Sequence, residues 1–313
     1  MLVARGKQLS ALRSGPLTIH RRSSEDVVAV TVAANAAEVG LRPEDVLVLA
    51  TKTQDAEAAL TEWAWQPLAG TDGAGPGNLA ADLPLLVMQN GVSAEQLAWR
   101  RFSRVLSVGT IVPVTYLEPG QVTALAQPKA GYLQFGALDG RQEADAELLT
   151  SIAVDLDRAG YLVRVRQDIT RRKHEKLLHN ISNGVDVLAG DAMERAALTN
   201  ALVAEARSVL TAAGHDLAIE PDADFDFASA LGLRPPAASN EPPRRSTWQS
   251  FARGRSSEID YLNGEIVLLG RRLGIATPLN ERLQRLLGLS HRLGEPPHTR
   301  TIADVLSALP AEG

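Results

Sequence analysis

Residues 45–65 read DVLVLATKTQDAEAALTEWAW, and the change of pattern inside them decides the fold class. Residues 45–51 are a short run rich in Val and Leu, which predicts a strand. From Gln54 to Trp65 the Ala-rich sequence suits a helix. The same unit recurs along the first half of the chain. Strands are expected at 84–89 (PLLVMQ), 105–112 (VLSVGTIV) and 161–166 (YLVRVR), and helices at 94–101 and 144–159. Strands alternating with helices argue for a parallel sheet covered by helices, an α/β fold. Two weaker runs, 131–136 (GYLQFG) and 122–126, read as an antiparallel edge. The stretch 67–78 carries Pro67, Gly70, Gly73, Gly75, Pro76 and Gly77, which predicts a flexible surface loop.

After about Asp168 the character changes. Helical periodicity covers 171–190, 192–213, 248–273 and 279–287. In the third of these, Ile259, Leu262, Ile266, Leu269 and Leu273 form one apolar stripe. Gly274 stops that helix, and Pro278 after Thr277 opens the next at its first position. Residues 233–245 are Pro-rich and read as irregular. Two domains follow: a parallel-sheet domain over 1–168 and an all-helical domain over 169–313.

The composition excludes several classes of function. Cysteine is absent, so disulfides, a thiolate nucleophile and Cys-ligated metals are ruled out. A net charge of −5 with 4% aromatic residues does not make a nucleic-acid surface. The longest apolar runs, such as 46–50 and 266–269, fall far short of the ~18 residues of a membrane span. Charge arrives at Arg5, so no signal peptide is read and a cytoplasmic chain is expected. Only five of the 32 basic residues are lysines: Lys7, Lys52, Lys129, Lys173 and Lys176. Arginine cannot release a proton near neutral pH, whereas lysine can when its site lowers its pKa. Each lysine is therefore a candidate for proton chemistry.

Three constellations carry candidate chemistry. In EKLLHNISNG, Lys176, Asn180 and Asn183 lie at i, i+4 and i+7, one face of an α-helix. A lysine and two amides there can donate to carbonyl and carboxylate oxygens; the same spacing also suits a solvated polar face. In STWQSFARGRSSEIDYLNG, Ser246 followed by Gln249 is a capping-box pattern, and Glu258 reads from pattern alone as a surface partner of Arg255. Lys52 and Asn90-Gly91 directly follow two expected strands. In open parallel sheets ligands bind beyond such carboxyl ends, although a turn and a surface charge account for them equally. Two patterns fail. His174 and His179 are five apart, not the four that a helical zinc motif requires, and the 73–77 glycines neither follow a strand nor open a helix. No metal site is read.

Taken together, VLATKTQD around Lys52, MQNGV around Asn90, KLLHNISN from Lys176 and Ser246 through Asn280 (S…SEIDYLNGEIVLLGRRLGIATPLN) resemble the ketopantoate reductase (2-dehydropantoate 2-reductase) family over nearly the whole chain. The resemblance implies a Rossmann domain binding NADPH, a helical substrate domain, and reduction of a branched 2-keto acid. It implies Lys176 as general acid, Glu258 as the glutamate that orients substrate or lysine, and Asn180 and Ser246 as substrate contacts; Asn183, seven after the lysine, is a candidate substrate contact from its place on the same face. It further implies Lys52 and Asn90 at the cofactor, Arg5 near the 2′-phosphate of NADPH, a small-molecule partner and a possible homodimer.

Departures from the family pattern accompany it. The G-x-G-x-x-G fingerprint is not found, and the chain starts inside the strand at Met1–Arg5, so an upstream strand–turn–helix of about 25 residues is expected in the working protein. Gly184 stands at the eighth position after the lysine, where the family often has its second asparagine. Pro243-Arg244-Arg245 stands where an asparagine often precedes the serine, so Arg244 or Arg245 is a candidate for the substrate carboxylate. The rival readings are a reductase of another 2-oxo or imino acid, and a homologue that has lost its cofactor.

Overall fold

The computed structural model describes residues 1–70, 78–138, 143, 145–217, 226–233 and 244–307. Most of the 67–78 loop and of the Pro-rich 233–245 stretch lies outside the described residues. The chain forms two compact units. Met1–Gln89 and Ala94–Thr170 belong to the first, together with 226–233; Asn90–Ser93 belongs to the second with the residues after Thr170.

The first unit opens with β1 (Leu2–Val3), α1 (Gly6–Ser14), β2 (Leu17–His20), β3 (Glu25–Val28) and β4 (Val32–Ala33). It continues through β5 (Leu47–Leu49), α2 (Thr53–Trp63), β6 (Pro84–Val87), α3 (Ser93–Trp99) and β7 (Arg104–Ile111). It ends with β8 (Val114–Thr115), β9 (Gln121–Ala124), β10 (Gly131–Ala137), α4 (Ala146–Arg158) and β11 (Tyr161–Val165). The main sheet runs β11-β10-β7-β6-β5. Strands β5, β6 and β7 are parallel, as the strand–helix alternation predicts. All four residues of β6 are buried, so both faces need cover. Side chains alternate across a strand: Leu85 and Val87 pack with Ala56, Leu60, Ala94 and Phe102, while Leu86 packs with Leu106, Phe135, Leu149 and Ile152.

The antiparallel edge read at 131–136 and 122–126 is corrected by the pairing. Strand β10 does run antiparallel to β7, but β11 pairs parallel on its other side, so it is internal. Strand β9 joins a separate four-stranded sheet, β3-β2-β9-β8. A short apolar run records its own extension but not which strand it will pair with.

The second unit is helical. It begins at α5 (Ile169–Asn180), which passes into a 3-10 turn at Ile181–Val187 and then α6 (Ala192–Ala212). The short helix α7 (Phe227–Ala230) lies in the stretch that belongs to the first unit. Then come α8 (Ser246–Ala252), a 3-10 turn at Ile259–Tyr261, α9 (Asn263–Leu273), α10 (Pro278–Arg292) and α11 (Ile302–Leu306). The single helix expected over 248–273 is therefore three pieces. Gly254, at φ 62°, takes the left-handed conformation that ends α8, with Arg255 N–H returning to the Ser250 carbonyl. Gly274 ends α9 in the same way, at φ 69°, and Pro278 opens α10, both at the expected positions. Leu177, Leu178, Ile181, Leu202, Ile259, Ile266 and Leu283 build the core.

Inside that core runs a chain of amides. Thr277 makes no side-chain cap for α10. Instead the Glu205 carboxylate, from α6, accepts from the N–H groups of Leu279 (3.1 Å) and Asn280 (2.9 Å) and from Asn280 Nδ2 (2.8 Å). Asn280 Oδ1 accepts from Asn263 Nδ2 at 2.9 Å, and that same amide donates to the Ile181 carbonyl at 3.1 Å. Asn263 and Asn280 are wholly buried.

Glu205→Ala strips three donors of their acceptor and should lower stability by about 1–3 kcal/mol, with Glu205→Gln losing less because it keeps an oxygen there. A reduced denaturant midpoint at unchanged m-value is the expected readout. A second expectation concerns pH. His215 stacks on the buried His174, ring centroids 3.7 Å apart, and burial holds its pKa below the usual value. A base whose pKa is depressed on folding binds its proton more readily when unfolded. Its contribution to stability is intact above about pH 6.5 and is lost as pH falls toward the folded-state pKa. Thermal melts between about pH 7.5 and 5 should show this slope, and His215→Gln should flatten it.

Candidate active site

Helix α5 carries Lys176 half-buried, and its Nζ donates to Asn90 Oδ1 at 3.0 Å. Asn90 lies in the segment that follows β6 in the chain and folds with the helical unit. Its neighbour Gly91 has φ 79°, and a Cβ there would stand 2.7 Å from the Tyr261 carbonyl oxygen. Only glycine meets both conditions. The Asn90-Gly91 turn is thus pressed against the 3-10 turn whose preceding residue is Glu258, itself 4% exposed. Lys176, Asn90 and the Glu258 turn are brought together, although 82 residues separate Lys176 from Glu258 in the chain.

Asn180, the last residue of α5, is buried, and its Nδ2 has no hydrogen-bond partner. Buried amide donors are ordinarily satisfied, so this one is available to an oxygen brought from outside. Asn183 is also buried, but it sits in the 3-10 turn beyond the end of α5. The α-helical spacing that placed it on the lysine face therefore stops at Asn180.

Ser246 is the first residue of α8. Arg245 occupies the cap position and no side-chain cap bond is made, so the capping-box reading is corrected. Gln249 Nε2 donates to the Arg244 carbonyl instead. Arg245 is held elsewhere: its Nε and Nη2 donate to the two Asp186 carboxylate oxygens at 2.6 and 2.7 Å. Its Nη1 and Nη2 donate to Ser182 Oγ and the Ser182 carbonyl at 2.8 and 3.1 Å. Burial pushes the Asp186 carboxyl up from its ordinary value, opposed by Arg245. Four donors spent on protein acceptors leave Arg245 poorly placed for a substrate carboxylate. Exposed Arg244 lies 5.0 Å over the Trp248 ring.

In the first unit, Arg5 and Lys52 occupy the N-cap positions of α1 and α2, and neither helix has a side-chain cap bond. First-turn N–H groups beside a cation suit an anion. Arg5 is exposed and ion-paired with Glu62, near the C-terminal end of α2. Ten residues of helix separate Glu62 from Lys52, about 15 Å at 1.5 Å per residue. The two cations therefore address well-separated points of any ligand that spans both. Among the described residues no three His, Cys, Asp or Glu side chains gather as a metal site, and no helix is long and apolar enough to cross a membrane.

A largely parallel sheet covered on both faces, followed by a helical unit that carries a lysine, asparagines and a buried glutamate, fits a two-domain oxidoreductase. Family models described as "Ketopantoate reductase PanE/ApbA" and "Ketopantoate reductase PanE/ApbA C terminal" match residues 1–140 and 168–290. The chain belongs to the ketopantoate reductase family. It is 26% identical over 297 residues to the 2-dehydropantoate 2-reductase of Archaeoglobus fulgidus, covering 92% of this chain and 88% of that one. The enzyme of the same name from Mesorhizobium japonicum is 26% identical over 322 residues, covering 93% and 89%. Among solved structures, a PanE/ApbA family ketopantoate reductase from Ralstonia eutropha superposes with TM-score 0.69 at 23% identity, covering 93% of this chain and 91% of that one. A D-mandelate dehydrogenase bound to NADH and anilino(oxo)acetate superposes with TM-score 0.73 at 20% identity, covering 94% and 91%.

Because Ser246 makes no cap bond, Ser246→Ala should leave the stability read from denaturant melts nearly unchanged, within about 0.5 kcal/mol. A serine that capped α8 would cost about 1 kcal/mol on removal.

Proposed function

We propose that the chain reduces a branched 2-keto acid, with 2-dehydropantoate the first candidate, to the 2-hydroxy acid, using NADPH and a proton from Lys176. The observation that carries this reading is the 3.0 Å hydrogen bond from Lys176 Nζ to Asn90 Oδ1. It aims the one half-buried ammonium of α5 that the family pattern singles out at the segment following β6, and strand ends of this kind are where open α/β sheets take ligands.

The nicotinamide cofactor supplies the hydride when bound. The chain's residues do the rest. Lys176 gives its proton to the developing alkoxide and offsets its charge, the two needs of ketone reduction. Asn90 orients that ammonium. The unpartnered Nδ2 of Asn180 donates to a keto or carboxylate oxygen. Asn183 and Ser246 add donors from the 3-10 turn and from α8. Buried Glu258 fixes the substrate or the lysine. Arg5 meets the extra phosphate of NADPH by exchanging Glu62 for it, and Lys52 meets the pyrophosphate side.

The D-mandelate dehydrogenase neighbour motivates a second reading, in which NADH and an aryl 2-oxo acid replace NADPH and the branched acid. Steady-state rates for 2-dehydropantoate and phenylglyoxylate, each with NADPH and with NADH, separate the two. The first reading expects kcat/KM to favour 2-dehydropantoate with NADPH. Lys176→Ala should lower kcat by about 10²–10⁴. Lys176→Arg should stay slow, because it keeps the charge but cannot release a proton. A kcat near the original in both variants would remove Lys176 from the role.

A further inference from the structure

We infer that the Arg245–Asp186 ion pair is a positioning clamp that sets Ser246 in register with Asn180 and Asn183; this rests on the keto-acid reading above. The argument begins with the order of residues. Along the chain, substrate candidates and clamp residues alternate: Asn180, then Ser182, then Asn183, then Asp186. Ser182 and Asp186, which flank Asn183, are the residues that Arg245 grips, and Arg245 directly precedes Ser246. The clamp therefore ties the first residue of α8 to the asparagine turn from 59 residues away.

The grip is a two-pronged guanidinium–carboxylate contact, the arrangement that fixes orientation as well as distance. Asp186 is 2% exposed at its side chain. Every residue of the 181–187 turn is buried, and Ser182 Oγ itself donates to the His179 carbonyl at 2.7 Å. From the far side, His298 meets the Asp186 carbonyl oxygen at 3.2 Å. The turn cannot shift without breaking several bonds at once. By contrast, α8 is a seven-residue helix with no side-chain cap. Short helices depend on tertiary contacts: Phe251 packs the end of α8 into the core, and Arg245 anchors its start.

A merely structural ion pair and a positioning one respond differently to apolar replacement. Losing one partner leaves a buried charge, whereas replacing both by apolar side chains is often neutral for stability. Arg245→Leu should lower Tm by roughly 5–8 °C. The double variant Arg245→Leu/Asp186→Leu should recover most of that loss. Its KM for 2-dehydropantoate should nevertheless stay raised about tenfold or more, with KM for NADPH unchanged. Its amides at 249–252 should exchange hydrogen at least about tenfold faster than in the original protein, with α9 unaffected. Asp186→Glu, which keeps the charge, should recover part of the keto-acid KM of Asp186→Ala. Unchanged exchange at 249–252, or faster exchange with an unchanged keto-acid KM, would overturn the clamp. Exchange needs no turnover, so a protein that reduces no branched 2-keto acid would sink the functional reading while the exchange result still decides whether Arg245 holds α8.

Discussion

The helical unit depends on one chain of buried hydrogen bonds, from the Glu205 carboxylate through the Asn280 and Asn263 amides to the Ile181 carbonyl. The surrounding leucines and isoleucines hold the helices together, but apolar contact is non-directional and leaves their register open. An amide has few ways to satisfy itself in a dry interior, and failing to do so costs more than the bond is worth. The chain therefore locks α6, α9 and α10 to the point where α5 ends. The site inherits that point: Asn180 is the last α-helical residue, and the carbonyl that Asn263 takes belongs to the next residue.

Two kinds of order meet at Asn90. On its N-terminal side runs β6, wholly buried, with its position set by packing on both faces. On its C-terminal side Val92 packs with the helical core. Gly91, with its positive φ and its contact with Tyr261, lets the chain make that change within two residues. The hydrogen bond from Lys176 falls on the residue before that glycine.

The strand–helix alternation from residue 45 onward was legible because each strand is a short apolar run and each helix has its own composition. The helix signals Gly274 and Pro278 were legible for the same local reason. Lys176, Asn90 and the Glu258 string were legible as a family pattern, and the structure places Lys176 and Asn90 in contact. What escaped the sequence was non-local. The break of 248–273 turns on Gly254, which periodicity alone passes over. The acceptor for the first N–H groups of α10 is Glu205, 75 residues before Asn280, which no local pattern around Thr277-Pro278 announces. Ser246 looked like a cap because Gln249 stood three residues on, yet Arg245 takes that position and is held by Asp186. A local pattern cannot announce a partner in another helix. The partners Asn263 and Asn280 lay inside the recognised string, but nothing there marked them as facing each other.

The His298–Thr301 segment returns to the asparagine turn: His298 N–H donates to the Val187 carbonyl, and Ala189 bridges Thr301. Asp186 and His298 are 112 residues apart. A ribosome adding about 5–20 residues per second needs roughly 6–22 s to cover that distance. The strands of the main sheet, all encoded before residue 166, have that interval to pair. The turn that carries Asn183 does not. Its contact with His298 forms only once residue 298 has been made, later than every strand of the main sheet.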